Sequence, residues 1–503
     1  MASTFDTAGV RRLADGSAVY ADRPTSLVEL LRRSVERDPG ATAIVDLAGD
    51  SVTYRELWDR AARVAGGLRG AGIEPGDRVA ITLPNCLDWA LAFWGIQLAG
   101  AVAVPVNIRL TAEEVDWLLG HAEARFAFRP GEALPDGPAG PTAAPRPDDL
   151  AAIFYTSGTT GRPKGAMTTH ANFATNSENA FRLLGIPAAE GPSVSTLVSV
   201  PLFHVTGCNS QMIPILEIGG RVEILPRALD LDLFLDAVAA HRISHLVSVP
   251  AVYFALINSH RFAAADTTSV RWALYGGAPI TDTMVRRIKA EFPSAKVGNG
   301  FGLTETSSLT SFLPDEESLA HPGSVGYPMP VVDLRLDAPD PRTGVGELLV
   351  RGPNVVAGYW RAPEATAATF VDGWLRTGDL ARIDADGRLY IVDRSKDMIN
   401  RGGENVYSVE VENALAAAPG VGEAAVVGVA DEMMGEKVGA VLVPLAGQEV
   451  VVADVLADLR GRIADFKVPQ FVAVRAEPLP RNPGGKIVKS QLAAAVEWGP
   501  SLW

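Results

Sequence analysis

The sequence predicts an α/β protein: a large N-terminal domain of mixed, largely parallel sheets with helices and a short β-rich subdomain, then a small C-terminal α+β domain. Three observations predict it. Amphipathic helices alternate with short apolar strands through the first part of the chain, the pattern of parallel sheets covered by helices. After Gly344 the pattern turns to short alternating strands separated by turns. From Ser395 a further mixed set of about 110 residues begins, long enough to fold as a unit of its own. The expected division is 1–394 and 395–503.

Taken in order, Thr53 and Glu56 in "TYRELWDRAARVAGGLRGAGIEPGDRVAITLPN" form a capping box, apolar residues recur at helical spacing to Leu68, and "RVAITL" reads as a strand. The uncharged run "WALAFWGIQLAGAVAVPV" (89–106) is about as long as the shortest membrane span. Gly95, Gln97, Gly100 and Pro105 interrupt it and its second half is β-rich, so it reads as a buried helix turning into a strand. Residues 129–149, "RPGEALPDGPAGPTAAPRPDD", are aperiodic and rich in Pro, Gly and Ala, and read as a surface loop without fixed structure. "FLDAVAAHRISHLVSVP" and "MVRRIKAEFPSAKVGNGFG" each repeat helix, break and strand. In "ARIDADGRLYIVDR", Asp386-Gly387 marks a hairpin, so Asp384 and Asp386 read as structural. The last portion offers a helix at "SVEVENALAAAP", a strand at "EAAVVGVA" and a helix at "VADVLADLRGRIADF".

Composition narrows the function classes. With 503 residues, 47% of them hydrophobic, the chain holds more than one core, since single cores rarely exceed roughly 250–300 residues. The net charge of −14 and the scatter of basic residues argue against nucleic acid or an anionic membrane as the main partner, and for a small-molecule substrate. Two cysteines, Cys86 and Cys208, make neither a disulfide framework nor a metal-ligand pattern, so a cytoplasmic location is expected. The opening "MASTFDTAGVRRLADG" has no apolar stretch after its charges and does not read as a secretory signal.

The string "YTSGTTGRPKG" (155–165) carries the chemistry. Its glycines let backbone amides approach an anion, the hydroxyls of Thr156, Ser157, Thr159 and Thr160 can donate to phosphate oxygens, and Lys164 supplies charge. The spacing is not that of a Walker loop, and a flexible turn is the alternative. Seven further strings follow: "PLFHVTG", "YGGAPI", "GFGLTET", "GELLVRGP", "DGWLRTGDL", "DRSKDMINRGGENVY" and "PRNPGGKI". Together, in this order and from "TYREL" to Lys489, they resemble the adenylate-forming superfamily: acyl-CoA synthetases, adenylation domains of peptide synthetases and firefly-type luciferases.

The resemblance implies roles. Thr156, Ser157, Gly158, Thr159, Thr160 and Lys164 would steady the β- and γ-phosphates of ATP. Gly276, Gly277 and Ala278 would wall the adenine, where a side chain would block the base; Asn299, Gly300, Phe301 and Gly302 would line the nucleotide, with Phe301 where relatives usually carry Tyr. Thr304 would contact the α-phosphate and Glu305 would hold Mg2+. Asp379 would accept from the ribose hydroxyls, with Arg394 nearby. Lys486 would reach the carboxylate and α-phosphate during adenylation, stabilising charge on the equatorial oxygens. Lys396 falls at the family's hinge, which makes the C-terminal domain mobile, and Gly402 and Gly403 would line the tunnel of coenzyme A. Ser408 stands where relatives often carry Pro, a departure expected to be harmless. His204 matches an aromatic gate beside the acyl site, or is a satisfied core residue.

The implied acyl pocket holds Val205, Thr206, Cys208, Val249, Ala251 and Tyr275. It offers no arginine for a second carboxylate and no aspartate for an α-ammonium, leaving a neutral apolar acid. The expected activity is that of an ATP- and Mg2+-dependent acyl-CoA synthetase acting first on a medium- or long-chain fatty acid, with aryl acids as the alternative. A carrier-protein acceptor, a luciferase-like oxidase and a non-catalytic nucleotide-binding regulator are the rivals. A homodimer is admitted but not required.

Overall fold

The computed structural model describes residues 4–140, 143–156, 162–186, 188–226, 230–278, 280–402, 404–445, 447–481 and 487–502. Four sheets organise most of it. A nine-stranded sheet runs, in spatial order, Tyr327–Pro328, Ser311–Leu313, Lys296–Phe301, Trp272–Gly276, His245–Ser248, Ser195–Val198, Arg221–Ile224, Thr42–Asp46 and Ser51–Thr53. Its inner pairings are parallel and its margins antiparallel. A five-stranded sheet of Ala124–Phe128, Arg78–Ile81, Val102–Pro105, Leu150–Thr156 and Lys164–Thr169 is parallel except for its last pair. An antiparallel sheet follows around Gly346–Arg351 and Trp374–Ile383, and a mixed C-terminal sheet around Val421–Asp431 and Gly435–Pro444, with Phe471–Val474 added in parallel. The α/β class and the smaller C-terminal unit are those the sequence predicts.

Local expectations are met where the signal is local. Thr53 caps the helix Tyr54–Gly70 through a complete capping box with Glu56. The apolar run forms the helix Leu87–Ala99 and the strand Val102–Pro105, buried on nearly all sides, which suits a helix without a polar face. Trp89 and Phe93 stack there, 5.5 Å between ring centroids, in the main hydrophobic core. Among the described residues no helix is long and apolar enough to cross a membrane.

One expectation is corrected. The described residues of the 129–149 segment have no regular structure, yet they are pinned to the protein. Gly137 N donates to Arg63 O at 3.1 Å and Ala143 N to Leu98 O at 3.1 Å. Gly66 and Gly67 inside the helix Tyr54–Gly70 make this possible: a Cβ on Gly66 would lie 2.3 Å from Pro138 O, and one on Gly67 2.4 Å from Pro135 C. Two adjacent glycines in a helix interior weaken it locally, and the return is a groove for a crossing backbone.

Candidate active site

Four adjacent parallel strands aim their C-terminal ends one way, and the segments that follow carry most of the expected site. Past Ser195–Val198 come His204 and Val205; past His245–Ser248, Val249 and Ala251; past Trp272–Gly276, Gly277 and Ala278; past Lys296–Phe301, Thr304 and Glu305. The crevice outside the carboxyl ends of parallel strands is where open α/β sheets bind ligands.

The segment after Phe301 is strained and held. Ser307 and Ser308 follow the short turn Thr304–Thr306 with φ of 54° and 111°, left-handed values that cost side-chain-bearing residues on the order of 1–3 kcal/mol each. Buried amides offset it: Asn209 Nδ2 donates to Ser307 O at 3.1 Å, and Asn354 Nδ2 to Thr306 O at 3.3 Å. Ser210 Oγ donates to Ser308 Oγ at 2.6 Å. Glu305 therefore sits on a rigid turn, and its backbone O accepts from Val356 N at 2.9 Å.

That contact leads to a residue the sequence reading passed over. Tyr359 Oη donates to Glu305 Oε1 at 2.7 Å, while Lys164 Nζ lies 5.1 Å above the Tyr359 ring. Burial, and then the adjacent Glu305 carboxylate, raises the Tyr359 phenol, so it stays a donor. The backbone locks the arrangement: Met167 N donates to Gly358 O at 2.9 Å and Trp360 N to Gly165 O at 2.8 Å, laying "GYW" along the strand Lys164–Thr169. The only sequence signal was a glycine followed by two aromatics. Tyr359 thus joins Lys164 of the phosphate-loop hairpin to Glu305.

The phosphate loop connects the paired strands Leu150–Thr156 and Lys164–Thr169, with Thr156 opposite Lys164. Ser157, Gly158, Thr159 and Thr160 lie outside the described residues, as do Gly403 and Lys486. The loop's base is braced by aromatic groups: Tyr155 Oη lies 2.8 Å from His121 Nδ1, and His121 stacks on Trp117 at 4.8 Å.

Asp379 and Arg394 face each other across the ladder of Trp374–Ile383 and Leu389–Arg394, with Arg394 Nε 2.7 Å from Asp379 Oδ1. The Asp379 side chain is 3% exposed. Asn299, 7% exposed, ties this ladder to the nine-stranded sheet: its Nδ2 donates to Ser324 O at 3.0 Å, and Ser324 Oγ donates to Leu389 O at 2.8 Å.

Other expected residues contribute to two hydrophobic cores. Val205 and Cys208 are buried in the main core, whereas Val249 and Tyr275 pack in a second core with Val252 and Tyr253; Thr206 is half-buried and Ala251 exposed. The Tyr275 hydroxyl is buried without a hydrogen-bond partner among the described residues, and burial raises its phenol above the ordinary range. His204 packs against Phe203, 4.8 Å between ring centroids. A Cβ on Gly276 would meet Gly300 O at 2.2 Å, so the neighbouring strand by itself leaves no room for a side chain there. A Cβ on Gly402 would meet Met434 Cε at 2.4 Å, and its N–H donates to Met434 O at 2.7 Å. Lys396 Nζ lies 3.7 Å from Asp397 Oδ1. Ser408, expected to be inconsequential, is fully buried and hydrogen-bonded to Asp393.

Residues 31–360 match the family model "AMP-binding enzyme" and residues 410–486 match "AMP-binding enzyme C-terminal domain". The chain belongs to the AMP-binding enzymes. As an AMP-binding enzyme it is 39% identical over 490 residues to a feruloyl-CoA synthase of Amycolatopsis, spanning 92% of this chain and 97% of that protein. An indoleacetate–CoA ligase of Aromatoleum aromaticum is 34% identical, spanning 93% and 98%. A long-chain-fatty-acid–CoA ligase of Mycobacterium tuberculosis is 32% identical, spanning 92% and 97%. Among solved structures, ATP-bound MatB from Rhodopseudomonas palustris gives a TM-score of 0.85 at 34% identity, covering 93% of this chain and 98% of its own. Apo MatB, at the same identity and coverage, gives 0.76. This AMP-binding enzyme is therefore an ATP-dependent acid–CoA ligase of the adenylate-forming superfamily.

Glu305 fits Mg2+. It is a single hard carboxylate on a rigid turn, next to the strand that carries Lys164, and Mg2+ is ordinarily held by one or two carboxylates together with substrate phosphates.

Proposed function

We propose that the enzyme activates an aryl carboxylic acid, in the manner of an arylpropenoate, with ATP and transfers it to coenzyme A. The carrying observation is the hydroxyl of Tyr275, a residue of the expected acyl pocket, which is buried and unpartnered among the described residues. Such a group is costly to leave unpaired, and a ring hydroxyl or methoxyl would satisfy it. The names of the feruloyl-CoA and indoleacetate relatives support the same choice. A medium- or long-chain fatty acid is the second reading, supported by the 32% identical fatty-acid ligase.

In this reading the carboxylate oxygen attacks the α-phosphorus, the bond to the bridging oxygen breaks, and pyrophosphate leaves. The thiol of coenzyme A then attacks the acyl carbon and AMP leaves. Thr156, Ser157, Thr159, Thr160 and Lys164 hold the departing phosphates, Thr304 the α-phosphate, and Asp379 with Arg394 the ribose. Glu305, oriented by Tyr359, would hold Mg2+, which when bound neutralises phosphate charge. Lys486 serves the first step. A unit beginning at residue 395 then turns about Lys396 to bring Gly402 and Gly403 to the thiol. The free thiols of Cys86 and Cys208 suit a reducing cytoplasm.

The test is CoA-dependent AMP release across a panel of arylpropenoates, arylacetates and saturated acids of graded length. The highest kcat/KM is expected for a ring-substituted arylpropenoate. A preference for long saturated acids would replace the first reading with the second.

A further inference from the structure

A buried polar cluster lies where the strand Leu389–Arg394 meets the C-terminal unit. Asp393 is 2% exposed and Ser408 0%. Ser408 N donates to Asp393 Oδ2, and Ser408 Oγ lies 3.0 and 2.8 Å from the two carboxylate oxygens, donating to one at a time. Arg394 N donates to Asp393 Oδ1 at 2.7 Å. Lys489 Nζ donates to Ser408 Oγ at 2.5 Å and pairs with Glu412 at 2.7 Å. Glu412 in turn accepts from Val426 N at 2.8 Å. Burial raises both carboxyls, and Lys489 opposes this in each.

The cluster straddles Lys396. Asp393 is the last residue but one of the strand Leu389–Arg394 in the antiparallel sheet, whereas Ser408 and Lys489 open the helices Ser408–Ala416 and Lys489–Ala495. Lys489, Glu412 and Val426 form one connected set within the C-terminal unit, so in a rotation about residue 396 Ser408 and Lys489 would move together and Asp393 would stay behind. Lys489 also follows Lys486 closely in sequence, at the start of the first element after it. The present arrangement is nearer to ATP-bound MatB than to apo MatB, at TM-scores of 0.85 and 0.76.

We propose that Asp393, Ser408 and Lys489 are positioning residues for the first half-reaction: they dock the C-terminal unit so that Lys486 meets the reacting carboxylate and α-phosphate, and this dock must open before coenzyme A is acylated. The proposal rests on the reading of Lys486 given above. Opening strips Asp393 of Ser408's amide and hydroxyl together, so the dock is a two-position element rather than a yielding contact. Both half-reactions are thereby tied to one small set of hydrogen bonds.

The experiment is rapid-quench single turnover on the full chain, reading acyl-AMP formation from acid and ATP, and separately acyl-CoA formation from supplied acyl-AMP. Ser408→Ala and Asp393→Asn are each expected to slow acyl-AMP formation about tenfold or more, the loss of a hydrogen bond to a charged group, with KM for ATP unchanged. Acyl transfer to coenzyme A should hold its rate or rise. Lys489→Met should behave as Ser408→Ala does, and Lys489→Arg should restore the first step. Equal slowing of both steps, or slowing of neither, overturns the proposal. Asp393→Asn, nearly isosteric, carries the test if Ser408→Ala does not fold. Lys486→Ala separates the two ideas: if it leaves acyl-AMP formation intact, the reading of Lys486 fails, whereas its loss beside an indifferent Ser408→Ala refutes only the dock.

Discussion

Replacing Tyr359 with Phe removes one oxygen from the place where the phosphate-loop hairpin meets Glu305. The ring would keep its packing against Ala166 and Val356, its edge contact with Phe370 at 5.6 Å, and its place beneath Lys164. What is lost is the 2.7 Å hydrogen bond to the Glu305 carboxylate. Hydrogen bonds to charged groups are worth about 1.5–3 kcal/mol, and each ~1.4 kcal/mol is tenfold, so kcat/KM should fall by about ten- to a hundredfold. Because the bond orients the carboxylate that would hold the metal, the loss should appear as a raised Mg2+ requirement. The assay is ATP–pyrophosphate exchange against Mg2+ concentration. An unchanged Mg2+ midpoint together with kcat/KM within twofold of the parent would refute the assignment of Tyr359 as the support of Glu305.

Three further outcomes are expected. Asp379→Asn should raise KM for ATP by about tenfold or more, and ATP lacking both ribose hydroxyls should lose little further affinity in the variant; additive losses would show that Asp379 and the ribose do not meet. Tyr275→Phe should erase the advantage of a ring-hydroxylated arylpropenoate over the unsubstituted acid, measured as a kcat/KM ratio, and an unaltered ratio would remove Tyr275 from the acyl pocket. His170 is 3% exposed, accepts from Leu27 N at 3.3 Å, and is held neutral by burial, its pKa lowered to about 4. Between pH 6.5 and 4 the unfolded chain therefore takes up a proton that the folded chain refuses, so stability falls with falling pH, by about 3 kcal/mol across the window. Denaturant unfolding followed by tryptophan fluorescence should show that slope reduced in His170→Gln; an identical slope would contradict it.

What the sequence disclosed was what is encoded within a few residues. The capping box at Thr53, the apolar run that becomes Leu87–Ala99 and Val102–Pro105, and the hairpin at Asp386-Gly387 are each readable from their immediate neighbours. The pairing of Asp379 with Arg394 emerges from two strands of one ladder. What stayed hidden depends on partners distant in sequence. Residues 129–149 look structureless until Gly66 and Gly67 are seen as their groove. Tyr359 is an ordinary aromatic until the strand Lys164–Thr169 brings it to Glu305. Ser408 looks replaceable until the chain returns it to Asp393. Gly276, which the resemblance expects to leave room for a base, is also required by the close approach of Gly300 O, and that approach is a property of the folded sheet.

The central claim is that the acid is joined to AMP before it meets coenzyme A. It is tested most directly by turnover of an acid whose carboxylate carries heavy oxygen, followed by mass analysis of the nucleotide and phosphate products. In-line attack by the carboxylate at the α-phosphorus predicts one heavy oxygen in AMP and none in pyrophosphate. Heavy oxygen in a phosphate product with ADP formed, or AMP that carries none, would contradict the account.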